Sequence, residues 1–274
     1  MLLLWFTGSQ AQYLQSDFAK HLSDTRNYQE IIDLTSSIPF GINGSTADSL
    51  NFYKAWAYFN LKKVSEGIES FRSVSDQSLL FKRSMFFSSW SSIYIDQYDL
   101  ARKDLARINS PDLIEEELLN IQYTGLHLLN LRTDSALLTL NRLNSEKSIY
   151  SDQIKLLEEY SLEIQGFKPK SMALSGLFSA VIPGAGKVYA GEKGAGIGSF
   201  LLLAGMGGMA TENIIKSGFT SWNSLLFTGL FSVFYLGNIY GSLISVKTYR
   251  ERFYESNEQA IVATILIPLR DYYR

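Results

Sequence analysis

Two patterns of apolar and polar residues follow one another along the chain, and the change comes near residue 170. Over 12–167, apolar residues recur every three to four positions and polar breaks interrupt them, a spacing typical of amphipathic helices. Over 171–246, long apolar stretches take over. The pattern predicts an all-α protein, with a helical-hairpin solenoid over 12–167, a membrane module of two or three transmembrane helices over 171–250 and a membrane-proximal tail over 251–274.

The polar half contains an internal repeat. Ile31, Gly67, Ala101 and Ala136 occupy equivalent positions, separated by 36, 34 and 35 residues. Apolar residues follow four and seven positions after the last three of them, namely Phe71, Leu105, Leu140, Val74, Ile108 and Leu143. A small residue followed by such a stripe allows the second helix of a hairpin to pack closely on the first.

This spacing resembles that of the tetratricopeptide repeat, in which an aromatic residue opens the second helix and a small residue follows three positions later. Tyr28 and Tyr98 match the aromatic position, whereas Thr133 and the large Ile31 depart from the pattern. The resemblance covers the polar half. It implies stacked helical hairpins with a groove that binds a partner peptide.

Five residues are candidates for binding a partner in that groove: Trp56, Asn60, Arg83, Trp90 and Tyr94. Trp56 and Trp90 lie 34 residues apart, which is one repeat, so they hold equivalent positions in successive hairpins. In one register both tryptophans face the groove and share it with the other three residues. A shift of one residue places both tryptophans in the core between helices instead, and the sequence leaves the two registers open.

The apolar half is poor in charge and rich in glycine. Residues 171–246 contain five charged side chains and 14 of the 20 glycines. Breaks divide the half into apolar stretches over 172–182, 195–211 and 222–246. A helix needs about 20 apolar residues to cross a hydrocarbon core of about 30 Å. The second and third stretches therefore predict two membrane helices, and the shorter first stretch predicts either a third crossing or a half-inserted segment.

Glycines in this half indicate close packing and a tight turn. Gly237 and Gly241 form a GxxxG spacing, which is typical of membrane helices that associate within one chain or between chains. A turn follows the first apolar stretch and is carried by Pro183, Gly184, Gly186, Tyr189 and Gly191. Proline ends the helix before it, the glycines permit close backbone approach, and the tyrosine is expected at the lipid headgroups.

The turn resembles that of a compact bacterial membrane module with the pattern Pro-Gly-x-Gly-x-x-Tyr-x-Gly, related in style to the two-helix TM2 domain. The resemblance covers about residues 171–250. Proteins that pair this module with upstream helical repeats look like envelope proteins of gram-negative bacteria, some of them near the membrane-protein insertion efficiency factor. The resemblance implies a location in the inner, cytoplasmic membrane.

The N-terminus and the basic residues set the expected orientation. Residues 1–11 resemble a truncated secretory signal peptide, and the alternative is a hydrophobic N-terminus that packs on the first helix. Basic residues at 187–193 and after 246 are expected on the cytoplasmic side, so three crossings place the repeats in the periplasm. If the first stretch does not cross, the repeats are cytoplasmic and the signal-peptide interpretation fails. The tail is expected to be an amphipathic or strand-like segment lying against the membrane module.

Composition excludes several kinds of chemistry. The chain has no cysteine, and its two histidines, His21 and His127, lie far apart, so we expect no disulfide, metal site or thiol nucleophile. A net charge of −2 gives no reason to expect nucleic-acid binding. The glycine-rich runs lack the spacing of a phosphate loop. The sequence therefore predicts neither a cofactor nor an enzyme.

These observations favour a membrane-anchored scaffold for protein–protein interaction, in envelope assembly or membrane-protein biogenesis. The expected partners are the lipid bilayer, an unidentified protein bound by the helical repeats, and a further copy or another chain packed through the membrane helices. The alternative is a component of a small transporter or channel. Its mark would be ionisable residues facing a bundle interior, and only Glu212 and Lys216 come near that condition.

Overall fold

The computed structural model describes residues 3–37, 44–143 and 146–274, with side chains from Leu14 onward in the first helix. Helix accounts for 79% of the structure and no strand occurs within these ranges, which confirms the all-α class. The chain forms two compact units. The first, which we call the repeat unit, comprises residues 1–166 and 259–274, and the second, the apolar unit, comprises residues 167–258.

The helices of the repeat unit pair with their neighbours in the sequence. Within each pair the two helices pack against each other, and α4 also packs against α5 and α6 against α7. The pairs are α1 (Leu3–Asp24) with α2 (Tyr28–Ser37), α3 (Ser45–Asn60) with α4 (Val64–Arg72), α5 (Phe81–Tyr94) with α6 (Tyr98–Leu105), and α7 (Leu113–Leu129) with α8 (Thr133–Leu140), followed by α9 (Ser151–Gly166).

The same backbone turn closes all four hairpins. Arg26, Lys62, Asp96 and Leu131 have φ between 56° and 62°, in the left-handed region, and they are separated by 36, 34 and 35 residues. In each turn the next residue donates its N–H to a carbonyl five positions back, as Lys63 does to Tyr58 at 2.9 Å. This is the hydrogen bond of a Schellman helix end. The repeat of the sequence is therefore also a repeat of the backbone.

The repeat positions read from the sequence are buried between the helices. Ile31, Ala101 and Ala136 have no exposed surface. Gly67 lies where α4 meets α3, because a Cβ atom there would stand 3.1 Å from the carbonyl oxygen of Ala55. The second helix approaches the first closely at this point, as the sequence predicts.

A buried ion pair connects successive hairpins. The carboxylate of Asp104 on α6 accepts a hydrogen bond from Arg72 Nε on α4 at 3.0 Å and another from Ser88 Oγ on α5 at 2.7 Å. Asp104 is fully buried, and burial raises its pKa above the ordinary value even though the hydrogen bonds and the charge of Arg72 oppose the shift. Removing either partner would leave the other without its counter-charge in the core.

Within the described ranges, two helices are long and apolar enough to cross a membrane; the first lies in the apolar unit, and the second begins there and continues into the repeat unit. They are α12 (Lys193–Ser217) and α13 (Trp222–Tyr272), and they follow the short helices α10 (Met172–Val181) and α11 (Ala185–Ala190). In their most apolar 18-residue stretches, only 17% of α12 and 22% of α13 is buried. A core helix of a water-soluble protein is mostly buried, so these exposed apolar faces support membrane association.

The structure bears on three expectations from the sequence, of which the last concerns residues that are described only in part. Helix α10 has ten residues, about 15 Å at 1.5 Å per residue, which is too short to cross a membrane. The tail is helical through Tyr272, not strand-like, and residues 259–274 belong to the repeat unit, which corrects the expectation that they lie against the membrane module. Of the signal-like residues 1–11, residues 1–2 lie outside the described part, and for residues 3–11 only the helical backbone is described.

Candidate functional site

The five groove candidates lie on two first helices of the hairpins, Trp56 and Asn60 on α3 and Arg83, Trp90 and Tyr94 on α5. We call the surface of α3, α5 and α7, the first helices of their hairpins, the first-helix face. Three of the five, Trp56, Asn60 and Arg83, line one cavity. Trp90 is only 6% exposed, and Tyr94, which is 53% exposed, stacks on its ring with centroids 5.3 Å apart.

The last residues of the chain cover part of the first-helix face. We call residues 259–274 the C-terminal segment. Trp90 Nε1 on α5 donates to the carbonyl oxygen of Val262 at 2.9 Å, and Gln122 Nε2 on α7 donates to that of Ile265 at 2.7 Å. Ile261, Ile265 and Leu269 are buried in the same core cluster as α5 and α7. Trp90 is therefore buried because the chain's own helix lies on it.

Gly125 lets the C-terminal segment approach α7. A Cβ atom at this position would stand 2.7 Å from Ile265 Cγ2 and 3.1 Å from its Cδ1. The first of these distances is shorter than real Cβ contacts and the second is tight, so no side chain fits there unless Ile265 moves. Glycine is unfavourable in the middle of a helix because of its flexibility, and α7 has 17 residues. The close approach of the C-terminal segment explains why a glycine stands at this position.

The end of the C-terminal segment is held at the start of α7. Asp112 caps this helix by accepting N–H bonds from Ile114 at 2.9 Å and Glu115 at 2.8 Å. Its other carboxylate oxygen accepts a hydrogen bond from Tyr272 Oη at 2.9 Å. The backbone N–H donors lower the pKa of Asp112, while burial and the bond to Asp112 raise the pKa of Tyr272 to about 12. The phenol therefore stays a donor at neutral pH.

Beyond the covered part of the face, a cavity of about 810 Å³ remains open. Its wall combines aromatic rings with an excess of positive charge. The aromatic residues are Tyr28, Phe52, Tyr53, Trp56 and Tyr273, the basic ones Lys20, Arg26, Arg83, Arg270 and Arg274, and the acidic ones Asp24 and Asp271. Five cations against two carboxylates make the cavity attractive to an anionic group.

Arg83 is the central cation of this cavity. Its guanidinium carbon lies 4.9 Å from the ring centres of both Phe52 and Trp56, and 5.7 Å from that of Tyr273. Its Nε is buried without a hydrogen-bond partner, and no carboxylate of the described residues lies within ion-pair distance. Burial lowers the pKa of Arg83 from its ordinary value. A carboxylate ligand would relieve this desolvated charge.

The predicted turn of the apolar unit is built from tightly packed backbone. Gly184 and Gly191 have φ of 84° and 103°, which side chains rarely adopt. A Cβ on Gly184 would overlap the carbonyl of Gly196, and one on Gly186 would overlap that of Ser175. The other two turn residues are Pro183 and Tyr189. Pro183 follows the end of α10, and Tyr189 Oη accepts a hydrogen bond from the N–H of Ser171 at 3.1 Å.

The two glycines of the GxxxG spacing differ in surroundings. A Cβ on Gly241 would lie 3.4 Å from Lys187 Cε, whereas none of the described atoms lies within 4 Å of a Cβ on Gly237. Gly237 instead lines a second cavity, together with Lys187 and Asn238. Within the apolar unit, therefore, neither glycine packs against another helix backbone.

Several residues of the first-helix face and of the C-terminal segment that covers it were not predicted from the sequence: Gln122 and Gly125 on the face, and Ile261, Ile265, Leu269 and Tyr273 on the segment. The apolar residues at 261, 265 and 269 recur every four positions, a helical stripe, which could have revealed an amphipathic helix in the tail. Nothing in the sequence indicated where that helix would bind.

Comparisons with known proteins do not assign the chain to a family. No protein-family profile, no curated protein and no solved structure matches the chain. Among the described residues, no group of three or more histidine, aspartate or glutamate side chains lies together as metal ligands would.

Proposed function

We propose that the protein is a membrane-anchored scaffold whose tetratricopeptide-like repeats bind an acidic segment of a partner protein. The observation that carries this proposal is the cavity around Arg83, where an unpaired, desolvated guanidinium lies among aromatic rings. An aspartate or glutamate of the partner would form a charge-assisted hydrogen bond with Arg83. Neighbouring apolar side chains of the same peptide would contact Trp56 and Tyr53.

The four equivalent turns and the buried repeat positions support the comparison with tetratricopeptide repeats. In such stacks each hairpin contacts mainly its neighbours and the first helices line a continuous binding face. Here the C-terminal segment covers the part of that face formed by α5 and α7. The site left for a partner is the cavity beside α3.

The membrane anchor in this proposal is the hairpin of α12 and α13, and it implies an orientation. Because α10 is too short to cross, the basic residues before α12 and those after the apolar stretch of α13 end on the same side of the membrane. Lys187, Lys193, Lys247 and Arg250 then share one side, and only Lys216 lies toward the other. The positive-inside rule makes the first side cytoplasmic. We therefore propose that the repeats are cytoplasmic, in place of the periplasmic location expected from three crossings.

Binding can be tested with fluorescent acidic peptides and the full chain in detergent micelles. We expect acidic peptides to bind and matched peptides with asparagine and glutamine in place of the acids not to bind. Arg83→Gln should weaken binding by about tenfold or more, since a hydrogen bond to a charged group contributes about 1.5–3 kcal/mol. Arg107→Gln is the matched control, because Arg107 also stacks on an aromatic ring, that of Phe81 at 5.1 Å, but does not line the cavity. Equal binding by both variants would contradict the proposal.

A photo-crosslinking residue distinguishes the cavity from the rest of the first-helix face. Placed at Asn60, which lines the cavity, it should form an adduct with the acidic peptide. Placed at the exposed Tyr94, it should not. Adducts at Tyr94 alone would move the binding site away from Arg83.

Orientation is accessible because the chain has no natural cysteine. In bacterial spheroplasts, a membrane-impermeant maleimide should label Thr220→Cys, between α12 and α13, and leave Asn109→Cys in the repeat unit unlabelled until the membrane is permeabilised. The reverse pattern would restore the periplasmic location.

A further inference from the structure

A second cavity, of about 340 Å³, lies inside the apolar unit and combines a polar end with an apolar wall. Lys187 on α11, Ser199 on α12 and Asn238 on α13 supply the polar end. The wall consists of Leu202, Leu203, Val233, Phe234 and Gly237. Ionisable and amide side chains are costly among membrane helices and usually serve a function there.

Asn238 is the clearest sign that a ligand belongs in this cavity. The residue is 6% exposed, yet neither its Nδ2 nor its Oδ1 has a hydrogen-bond partner. An unsatisfied buried polar group destabilises the folded protein, and leucine would fill the same space without that cost. A ligand that accepts a hydrogen bond from the amide nitrogen would recover part of it.

Lys187 provides positive charge beside this amide. Its Nζ donates to Ser199 Oγ at 2.8 Å, which leaves further N–H groups for another acceptor. No carboxylate among the described residues pairs with it, since the nearby Glu192 accepts a hydrogen bond from Ser245 at 2.7 Å instead. Gly241 lies beside the lysine, since a Cβ there would be in ordinary van der Waals contact with it, 3.4 Å from Cε and 3.6 Å from Nζ.

The polar end of the cavity lies toward the side of the apolar unit that carries its basic residues. Asn238, nine residues before Lys247 and about 13 Å away along a helix, is its deepest polar residue, and Lys187 lies beside Gly241, six residues before Lys247. At the basic end of the unit, Lys170 Nζ lies 4.2 Å from the ring centre of Tyr249, and the Arg250 guanidinium donates to the carbonyl of Lys170. Basic pockets between membrane helices on such a side suit anionic headgroups.

We propose that this cavity binds an anionic phospholipid, with the phosphate held by Lys187 and Asn238 and the start of an acyl chain along Leu202 and Phe234. The ammonium and amide N–H groups match the phosphate oxygens. The wall matches the chain and continues into the exposed apolar faces of α12 and α13. This inference concerns the apolar unit and does not depend on the peptide site proposed for the repeat unit.

Native mass spectrometry and thermal unfolding of the full chain in detergent test the proposal. We expect phosphatidylglycerol to remain bound and to raise the melting temperature, because a ligand that binds only the folded state stabilises it, whereas phosphatidylcholine should do neither. Lys187→Met and Asn238→Leu should each weaken phosphatidylglycerol binding by about tenfold or more. Lys216→Met is the control, because Lys216 is exposed and pairs with Glu212 one turn away.

Three outcomes would overturn the proposal. One is unchanged phosphatidylglycerol binding in both variants, with circular dichroism showing that they are folded. Another is equal stabilisation by phosphatidylcholine, which would mean that headgroup charge does not matter. The third is inorganic phosphate that displaces phosphatidylglycerol and stabilises the protein equally well, because the site would then take a soluble anion. Asn238→Leu also separates ligand binding from a change in stability, since it should reduce the lipid-induced shift in melting temperature whatever its effect on the melting temperature of the lipid-free protein.

Discussion

Docking of the C-terminal segment should depend on the missing side chain at position 125. In Gly125→Ala, the new methyl group would lie 2.7 Å from Ile265 Cγ2, which branches directly from the Cβ and cannot swing away without a rotamer change. Alanine in place of a helical glycine would otherwise add about 0.5–1 kcal/mol of stability. Overpacking costs about 1–3 kcal/mol, so we expect a net loss of about 1–2 kcal/mol.

A double-mutant cycle isolates this contact. Ile265 is fully buried, so Ile265→Ala alone should cost about 2–5 kcal/mol through lost contacts and a cavity. It also removes the atoms that the new methyl group meets. The double variant should therefore be more stable than the sum of the single effects by about 1–3 kcal/mol, the overpacking cost that it no longer carries.

Urea unfolding of the full chain in detergent micelles, followed by tryptophan fluorescence, measures these differences, because Trp90 lies under the C-terminal segment. Gly166→Ala is the matched control, since none of the described atoms lies within 4 Å of a Cβ at that glycine. The reasoning is refuted if Gly125→Ala is as stable as the parent protein and its effect simply adds to that of Ile265→Ala.

Three further substitutions probe the contacts that shape the two units. Asp104→Ala should lower the free energy of unfolding, measured in urea, by about 2–3 kcal/mol. This loss is smaller than that for a fully buried ion pair, because the side chain of Arg72 is 29% exposed. Asp112→Ala removes a helix cap worth about 1 kcal/mol at neutral pH. The folded-state pKa of Asp112 lies below the ordinary value of 3.8. The stabilisation by the cap is therefore present above pH 3.8 and is lost as the pH falls through the folded-state pKa. The unfolding curves of the parent and the variant should converge in acid. Gly186→Ala should lower the melting temperature of the apolar unit, whereas Gly205→Ala, with open space around it, should not.

Each of these expectations has an outcome that contradicts it. If Asp104→Ala is neutral, the buried carboxylate contributes no net stability. A difference between the parent and Asp112→Ala that persists in strong acid would mean that the charge of the cap is irrelevant. Equal melting temperatures for the two glycine variants would show that the turn tolerates a side chain.

The hairpins of the repeat unit were predictable because their signal is local. The spacing of Gly67, Ala101 and Ala136 reports a helix-to-helix approach within one hairpin, and the structure places these residues in its core. The turns were not predictable, since Arg26, Lys62 and similar residues occupy a left-handed position that usually favours glycine.

The covered part of the first-helix face could not be predicted, because it joins residues far apart in sequence. Trp90 and Val262 are 172 positions apart, and the tail helix contains Pro268, a residue that is unfavourable inside a helix. The cavity around Arg83 was only partly predictable. Repeat spacing brought Trp56, Asn60 and Arg83 to one face, but the lining residues Arg270 and Tyr273 come from the tail.

The common geometry of the four hairpin turns has a consequence for how such a chain can evolve. Because Lys62 and Asp96 leave their helices along the same backbone path, the residues between them form an interchangeable module with matching ends. Duplication or deletion of one such module would lengthen or shorten the stack without creating a new type of junction. The length of the first-helix face can thus be altered by gene rearrangement alone, while the apolar unit stays untouched.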